Sequence, residues 1–179
     1  MRKPRIISPG RVVAASVACL LALSIAAPAS AQTPVTLTIT GGALQITVPV
    51  APVVLGTIVN TVDGGTVSGQ LGVVQVSDAR SAAAGSGWVA SAISSAFTPP
   101  AGPAIAASAV GYAAGTITKV GTATYTANDP GDLTGVSPVV TATGITGDNS
   151  ASWNPTITVT VPGGMAAGVY SATITHSVS

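Results

Sequence analysis

An all-β fold, a single antiparallel β-sandwich following a cleaved signal peptide, is predicted by this sequence on three observations. Apolar residues alternate with polar ones at a period of two, threonine and valine fill the alternating stretches, and proline and glycine interrupt them at short intervals. Period-two alternation marks strands with one buried face. β-Branched side chains suit a pleated surface and disfavour helix. Pairs such as Pro99-Pro100, Pro130-Gly131 and Gly163-Gly164 are turn formers.

The first element is an export signal. Arg2, Lys3, Arg5 and Arg11 precede an apolar run from Val12 to Ala27, and Pro28 leads into Ala29-Ser30-Ala31 before Gln32. Basic, apolar and small-residue regions in that order make a secretory signal, with cleavage expected between Ala31 and Gln32. The run is short of the about 20 apolar residues a membrane span needs. The one cysteine, Cys19, lies within it. Reading Cys19 as a lipidation site is the weaker alternative, because the apolar run continues past it. The domain is therefore expected over residues 32–179, with no membrane association after cleavage.

Strands are predicted in order along that domain. Val35, Leu37 and Ile39 alternate with threonines, and Leu44, Ile46, Val48 and Val50 continue beyond Gly41-Gly42. Further strands are expected near 53–59, 65–78, 87–97, 105–112, 117–126 and 138–143. Ile157, Val159 and Val161 form another, and Tyr170, Ala172, Ile174, His176 and Val178 share one face of the last. Residues 36–48 and 156–175 read as two similar hairpins. Short helical turns are weakly suggested around 81–84 and 101–109. So many short strands in one ordinary-sized domain point to a sandwich, immunoglobulin-like or related.

Charge narrows the functional classes. Past the signal, Arg80 and Lys119 stand against Asp63, Asp78, Asp129, Asp132 and Asp148, a net of −3. Two basic residues cannot build a phosphate-binding surface, so nucleic acid is not an expected partner. With Cys19 in the signal, neither disulfides nor thiolate metal sites are expected.

Chemistry-bearing residues are few. The domain has one histidine, no glutamate and no G-x-S-x-G elbow. His176 falls on the apolar face of the last strand, where a hydrogen-bonded core histidine is commoner than a triad member. No enzymatic activity and no cofactor are expected. Asn128-Asp129-Pro130-Gly131-Asp132 offers oxygen ligands for a hard cation, yet the same residues suit a plain turn, and no metal site is expected. Trp88 shares a face with Ala90 and Ala92. It reads either as a core anchor over small residues or as a flat aromatic platform for a sugar or protein. Trp153, before Asn154-Pro155, has the same two readings.

Several blocks occur in a fixed order: Gly42-Ala43-Leu44-Gln45-Ile46-Thr47, Leu55-Gly56-Thr57, Leu71 through Asp78-Ala79-Arg80, Gly87-Trp88-Val89-Ala90, Trp153 through Pro162, and Ala167 through Val178. This order resembles the WxL-type cell-wall-binding surface domain of Gram-positive bacteria, in an actinobacterial variant, over nearly all of residues 32–179. The Asp-x-Arg segment leading to Gly-Trp is the most distinctive match. Here the two W-x-L positions read Trp88-Val89-Ala90 and His176-Ser177-Val178. The resemblance implies a secreted, non-enzymatic protein associated non-covalently with the cell wall through peptidoglycan. With no sorting motif, apolar tail or basic tail after the last strand, any retention at the surface is expected to be non-covalent, and free release fits this ending equally well. The alternative is a structural protein that self-assembles or docks with other surface proteins through sheet edges, with Lys119 guarding one edge. With so little charge, binding is expected to use Trp88, Trp153 and Tyr170, with Asp78 and Arg80 orienting the adjacent loop and His176 at the second motif.

Overall fold

The computed structural model describes residues 34–179, so the expected signal peptide and its Ala31–Gln32 cleavage site lie outside the described residues. The chain divides into two units, up to Thr38 and from Ile39 to Ser179, and the fold below is that of the second. It is an antiparallel, sandwich-like all-β fold. The strands are β1 (Leu44–Thr47), β2 (Gly65–Gln70), β3 (Val74–Ser94), β4 (Val110–Ala113), β5 (Thr118–Ala127), β6 (Ser137–Trp153), β7 (Thr156–Val161) and β8 (Ile174–Val178). A larger sheet has the order β1-β3-β6-β5, with β8 also on β3, and a smaller one the order β2-β7-β4. Among the described residues no helix is long and apolar enough to cross a membrane.

The long β3–β6 pair organises the larger sheet. β1 lies along residues 75–78 of β3 and β8 along residues 90–94. Between them the β3–β6 register shifts repeatedly, and Ser81, Gly85, Gly144 and Gly147 all take positive φ. Bulges of this kind bend and twist a strand. The strained Ser81 is held by its backbone N–H, which donates to Asp148 Oδ1 at 3.0 Å. The helical turn expected at 81–84 is instead this corner.

The core forms where the inner faces meet. Val74, Val76, Trp88 and Ala90 of β3, with Val140 and Ala142 of β6, are buried in one cluster with Ile157 and Val159 of β7. Large residues sit opposite small ones, as Trp88 does opposite Ala142. Trp88 shares its buried face with Ala90 and Ala92, as the alternation predicts.

Several elements differ from the sequence reading. Residues 65–78 do not form one strand. The chain passes from the smaller sheet to the larger at Leu71-Gly72-Val73, where Gly72 takes φ 97° and its N–H donates to Asn154 Oδ1 at 3.0 Å. Neither expected hairpin forms, because β1 pairs with β3, while β7 and β8 belong to different sheets. Residues 53–59 are not a strand; they follow Pro49 and Pro52, which lack the N–H a ladder needs. The last strand begins at Ile174 rather than 170, and β6 runs on to include Trp153. A single 3-10 turn, Ala107–Ala109, falls inside the 101–109 stretch.

Lys119 lies on β5, an edge strand of the larger sheet. It is exposed, with its Nζ 5.9 Å from the Tyr125 ring centre, and register shifts flank Thr122 beside it. A lysine and bulges on an edge oppose pairing with another chain.

Candidate functional site

The Asp78-Arg80 and Trp88 segments meet at the corner of the larger sheet. Arg80 Nε and Nη2 donate to Asp78 Oδ1 and Oδ2 at 2.8 and 2.9 Å, and Nη2 also donates to the Gly87 carbonyl at 3.3 Å. Asn149, opposite Asp78 on β6, donates to Asp78 Oδ2 at 3.3 Å. Its own Oδ1 accepts from Trp88 Nε1 at 3.0 Å and from the Tyr125 hydroxyl at 3.2 Å. The Arg80 hydrogen bond is the main influence holding the Asp78 carboxyl below its ordinary value, against the opposing effect of burial. Asp78 is therefore an ionised, buried acceptor that ties β3 to β6.

A second chain of hydrogen bonds crosses between the sheets. Trp153 Nε1 donates to the Tyr112 hydroxyl at 2.8 Å, and that hydroxyl lies 3.2 Å from His176 Nε2. The other ring nitrogen, Nδ1, is buried and has no hydrogen-bond partner among the described residues. It is the atom an orienting carboxylate would hold in a catalytic triad, and no aspartate among the described residues bonds to it. Burial holds the imidazole down to about 4 and pushes the Tyr112 phenol up.

His176 also lines a cleft of about 1110 Å³. Its walls are inner-face residues of three strands, Val67 of β2, Val159 and Val161 of β7 and Ile174 of β8, with Phe97 and Ile105 behind them. Its rim is two segments outside the strands, 48–61 and 162–173. Close packing against glycine sets the first segment: a Cβ on Gly69 would lie 2.6 Å from the Leu55 carbonyl oxygen. Asn60 Nδ2 donates to the Met165 carbonyl at 2.7 Å and joins the two segments. Val67, Val161 and Ile174 pack on the core yet stay only partly buried. Among the described residues, no aspartate, glutamate, lysine or arginine lines the cleft.

The expected binding residues thus separate. Trp88 and Trp153 are each 2% exposed, with their indole N–H groups satisfied inside the fold. The open-platform reading of both is corrected: they are core anchors, because strand alternation and the corner turn them inward. Asp78 is internal too, and Arg80 is committed to it. Only Tyr170 and His176 reach the cleft, and the Tyr170 hydroxyl donates to the Ala166 carbonyl at 2.9 Å. In the 128–132 turn, Asp129 Oδ1 accepts from the Ala114 N–H and Asp132 Oδ1 from the Thr134 N–H, both at 2.7 Å. The Asp132 bond closes a local turn, whereas the Asp129 bond reaches fifteen residues back to the segment after β4.

Sequence reasoning missed Asn149, Tyr112 and Tyr125. A usable signal was present: the chain has only two Trp and three Tyr, and buried indole and phenol groups need polar partners.

His176 makes stability depend on pH. Its folded value of about 4 lies below the ordinary 6.5, so between these values the unfolded chain binds more protons. Stability is full above about pH 6.5 and falls as pH drops toward 4, by on the order of 2 kcal/mol once its remaining solvent exposure is allowed for. Thermal melts from pH 7 to 4 should show this slope, and His176→Gln should flatten it, since the chain has one histidine. An unchanged slope in the variant would contradict the burial of this imidazole.

Compared with protein-family models, with curated proteins and with solved structures, the chain finds no match.

Proposed function

We propose that this chain is an exported, non-enzymatic protein of the bacterial cell surface, associated non-covalently with the wall, which receives an uncharged partner in the cleft between β2, β7 and β8. The observation behind this reading is the cleft itself, about 1110 Å³ of mainly aliphatic lining with no formally charged side chain. That volume exceeds the roughly 300–1,000 Å³ usual for small-molecule sites. An apolar lining with few free donors suits a protein segment better than a glycan, whose hydroxyls would lose water without replacement. Docking of a surface protein is accordingly the favoured mode of association, and direct peptidoglycan contact through Tyr170 the second.

Attraction between charges contributes little to such binding, so salt has little to screen. The exported protein should co-sediment with isolated cell walls equally at low and high salt. Val54 and Val169 line the rim and are 86% and 77% exposed. Val54→Asp and Val169→Asp should each reduce binding at least tenfold with the melting temperature unchanged. Release by salt, or wild-type binding by both variants, would overturn the proposal. Walls stripped of protein separate the two modes: retained binding on them means glycan contact.

A further inference from the structure

Of the three strands that border the cleft, two have one side without a strand among the described residues. β2 is the edge of the smaller sheet, and β8 pairs only with β3. Between them lie half-buried apolar side chains and an imidazole Nδ1 without a partner. This is the environment of a sandwich that lacks one strand: free ladder edges, with unfilled pockets between the sheets.

The same chain holds a strand without a sheet. Val35, Leu37 and Ile39 alternate with Thr36, Thr38 and Thr40. Residues 34–40 have no ladder pairing among the described residues, and the three aliphatic side chains are 89%, 85% and 84% exposed. In an extended strand these side chains point to one face at intervals of roughly 6.6–6.8 Å. The segment is uncharged, as is the cleft lining, so no ion would be buried unpaired.

We propose that the cleft receives residues 34–40 of a second copy of this chain as an added strand, with Val35, Leu37 and Ile39 facing its apolar lining. The inference rests on the cleft being the docking site. Direction along the chain favours a second copy. Gly41 and Gly42 pass beside Arg80 and Ala79, at the start of β1, whereas the chain enters the cleft rim at Val48, after the end of β1. A segment donated between copies in this head-to-tail way leaves each chain with one strand to give and one cleft to fill. That geometry produces chains or rings rather than a closed two-fold dimer.

Sedimentation velocity of the exported protein over a hundredfold range of concentration tests this, with Leu37→Asp and a synthetic peptide of residues 34–40 as probes. The wild type should form concentration-dependent oligomers. Leu37→Asp should weaken association at least tenfold without lowering the melting temperature, and should still bind the wild-type peptide. The free peptide should dissociate wild-type oligomers. A monomeric wild type that ignores the peptide overturns the inference. A monomeric wild type whose melting temperature drops with Leu37→Asp also overturns it, since the segment would then fill its own cleft. If the peptide fails while Val54→Asp and Val169→Asp still abolish wall association, the cleft serves another partner and only the second-copy inference falls.

Discussion

Trp88→Ala is expected to destabilise the domain by about 3–5 kcal/mol, the cost of removing a large aromatic from a packed core. The indole is 2% exposed, its ring centre is 5.7 Å from that of Tyr125, and its N–H is satisfied by Asn149. Truncation removes the apolar contacts, leaves a cavity at the sheet corner and deprives Asn149 of a donor. Against a typical total of about 5–15 kcal/mol, that is a large share of the stability. Trp88→Phe should be much milder, about 1–2 kcal/mol, because most of the volume stays and only one hydrogen bond is lost. Chemical denaturation of the three proteins checks the order. Loss of wall association in Trp88→Ala with unaltered stability would mean that the indole faces solvent after all.

Asn149→Asp should be comparably damaging at neutral pH although it changes the shape of the side chain very little. The amide nitrogen donates to Asp78 Oδ2 at 3.3 Å, and both residues are buried, at 5% and 1% exposure. The substitution turns a donor into a second carboxylate against an ionised one. Two carboxylates in one buried site do not both ionise at ordinary cost, so one is driven to hold a proton. The introduced group has its folded value raised, and its penalty is therefore present at high pH and relieved as pH falls. A loss of about 3 kcal/mol or more at pH 7 is expected, shrinking relative to wild type toward pH 5. Melting curves of both proteins across this range give the result. A variant equally destabilised at both pH values would show that the Asp78 carboxyl is not the partner of this amide. Asn149→Leu separates shape from charge, since it lacks hydrogen bonds but brings no pH dependence.

These two residues also show what strand alternation can and cannot reveal. Trp88 with Ala90 and Ala92 on a single face is a local property, legible because successive side chains on a strand point to opposite sides. Whether that face looks into a core or out to a ligand is not local. The corner between residues 78 and 88 of β3 decides it by bringing Asn149 of β6 against the indole. Asn149 itself lies in an ordinary polar stretch, Gly147-Asp148-Asn149-Ser150, and nothing near it in sequence marks it as the hub of a buried network. The cleft was illegible for a similar reason. Residues 53–59 have the composition of a strand, but a strand exists only where a partner edge is within reach, and here they lie over the glycines of β2.

By itself the sequence determined the all-β class, the face that Trp88 shares with Ala90 and Ala92, and the near absence of charge. These follow from backbone periodicity, β-branched side chains and composition, which need no knowledge of distant contacts. It also placed His176 on the apolar face of the last strand, whereas Tyr170, expected on the same strand, lies before its start. Only the tertiary structure decided which strands pair, because pairing depends on edges far apart in the chain, as where β8 joins β3 instead of β7. Pairing then turned Trp88 and Trp153 inward and left β2 and β8 as open edges. That is why a chain with aromatic candidates for binding has its accessible opening at an aliphatic cleft instead.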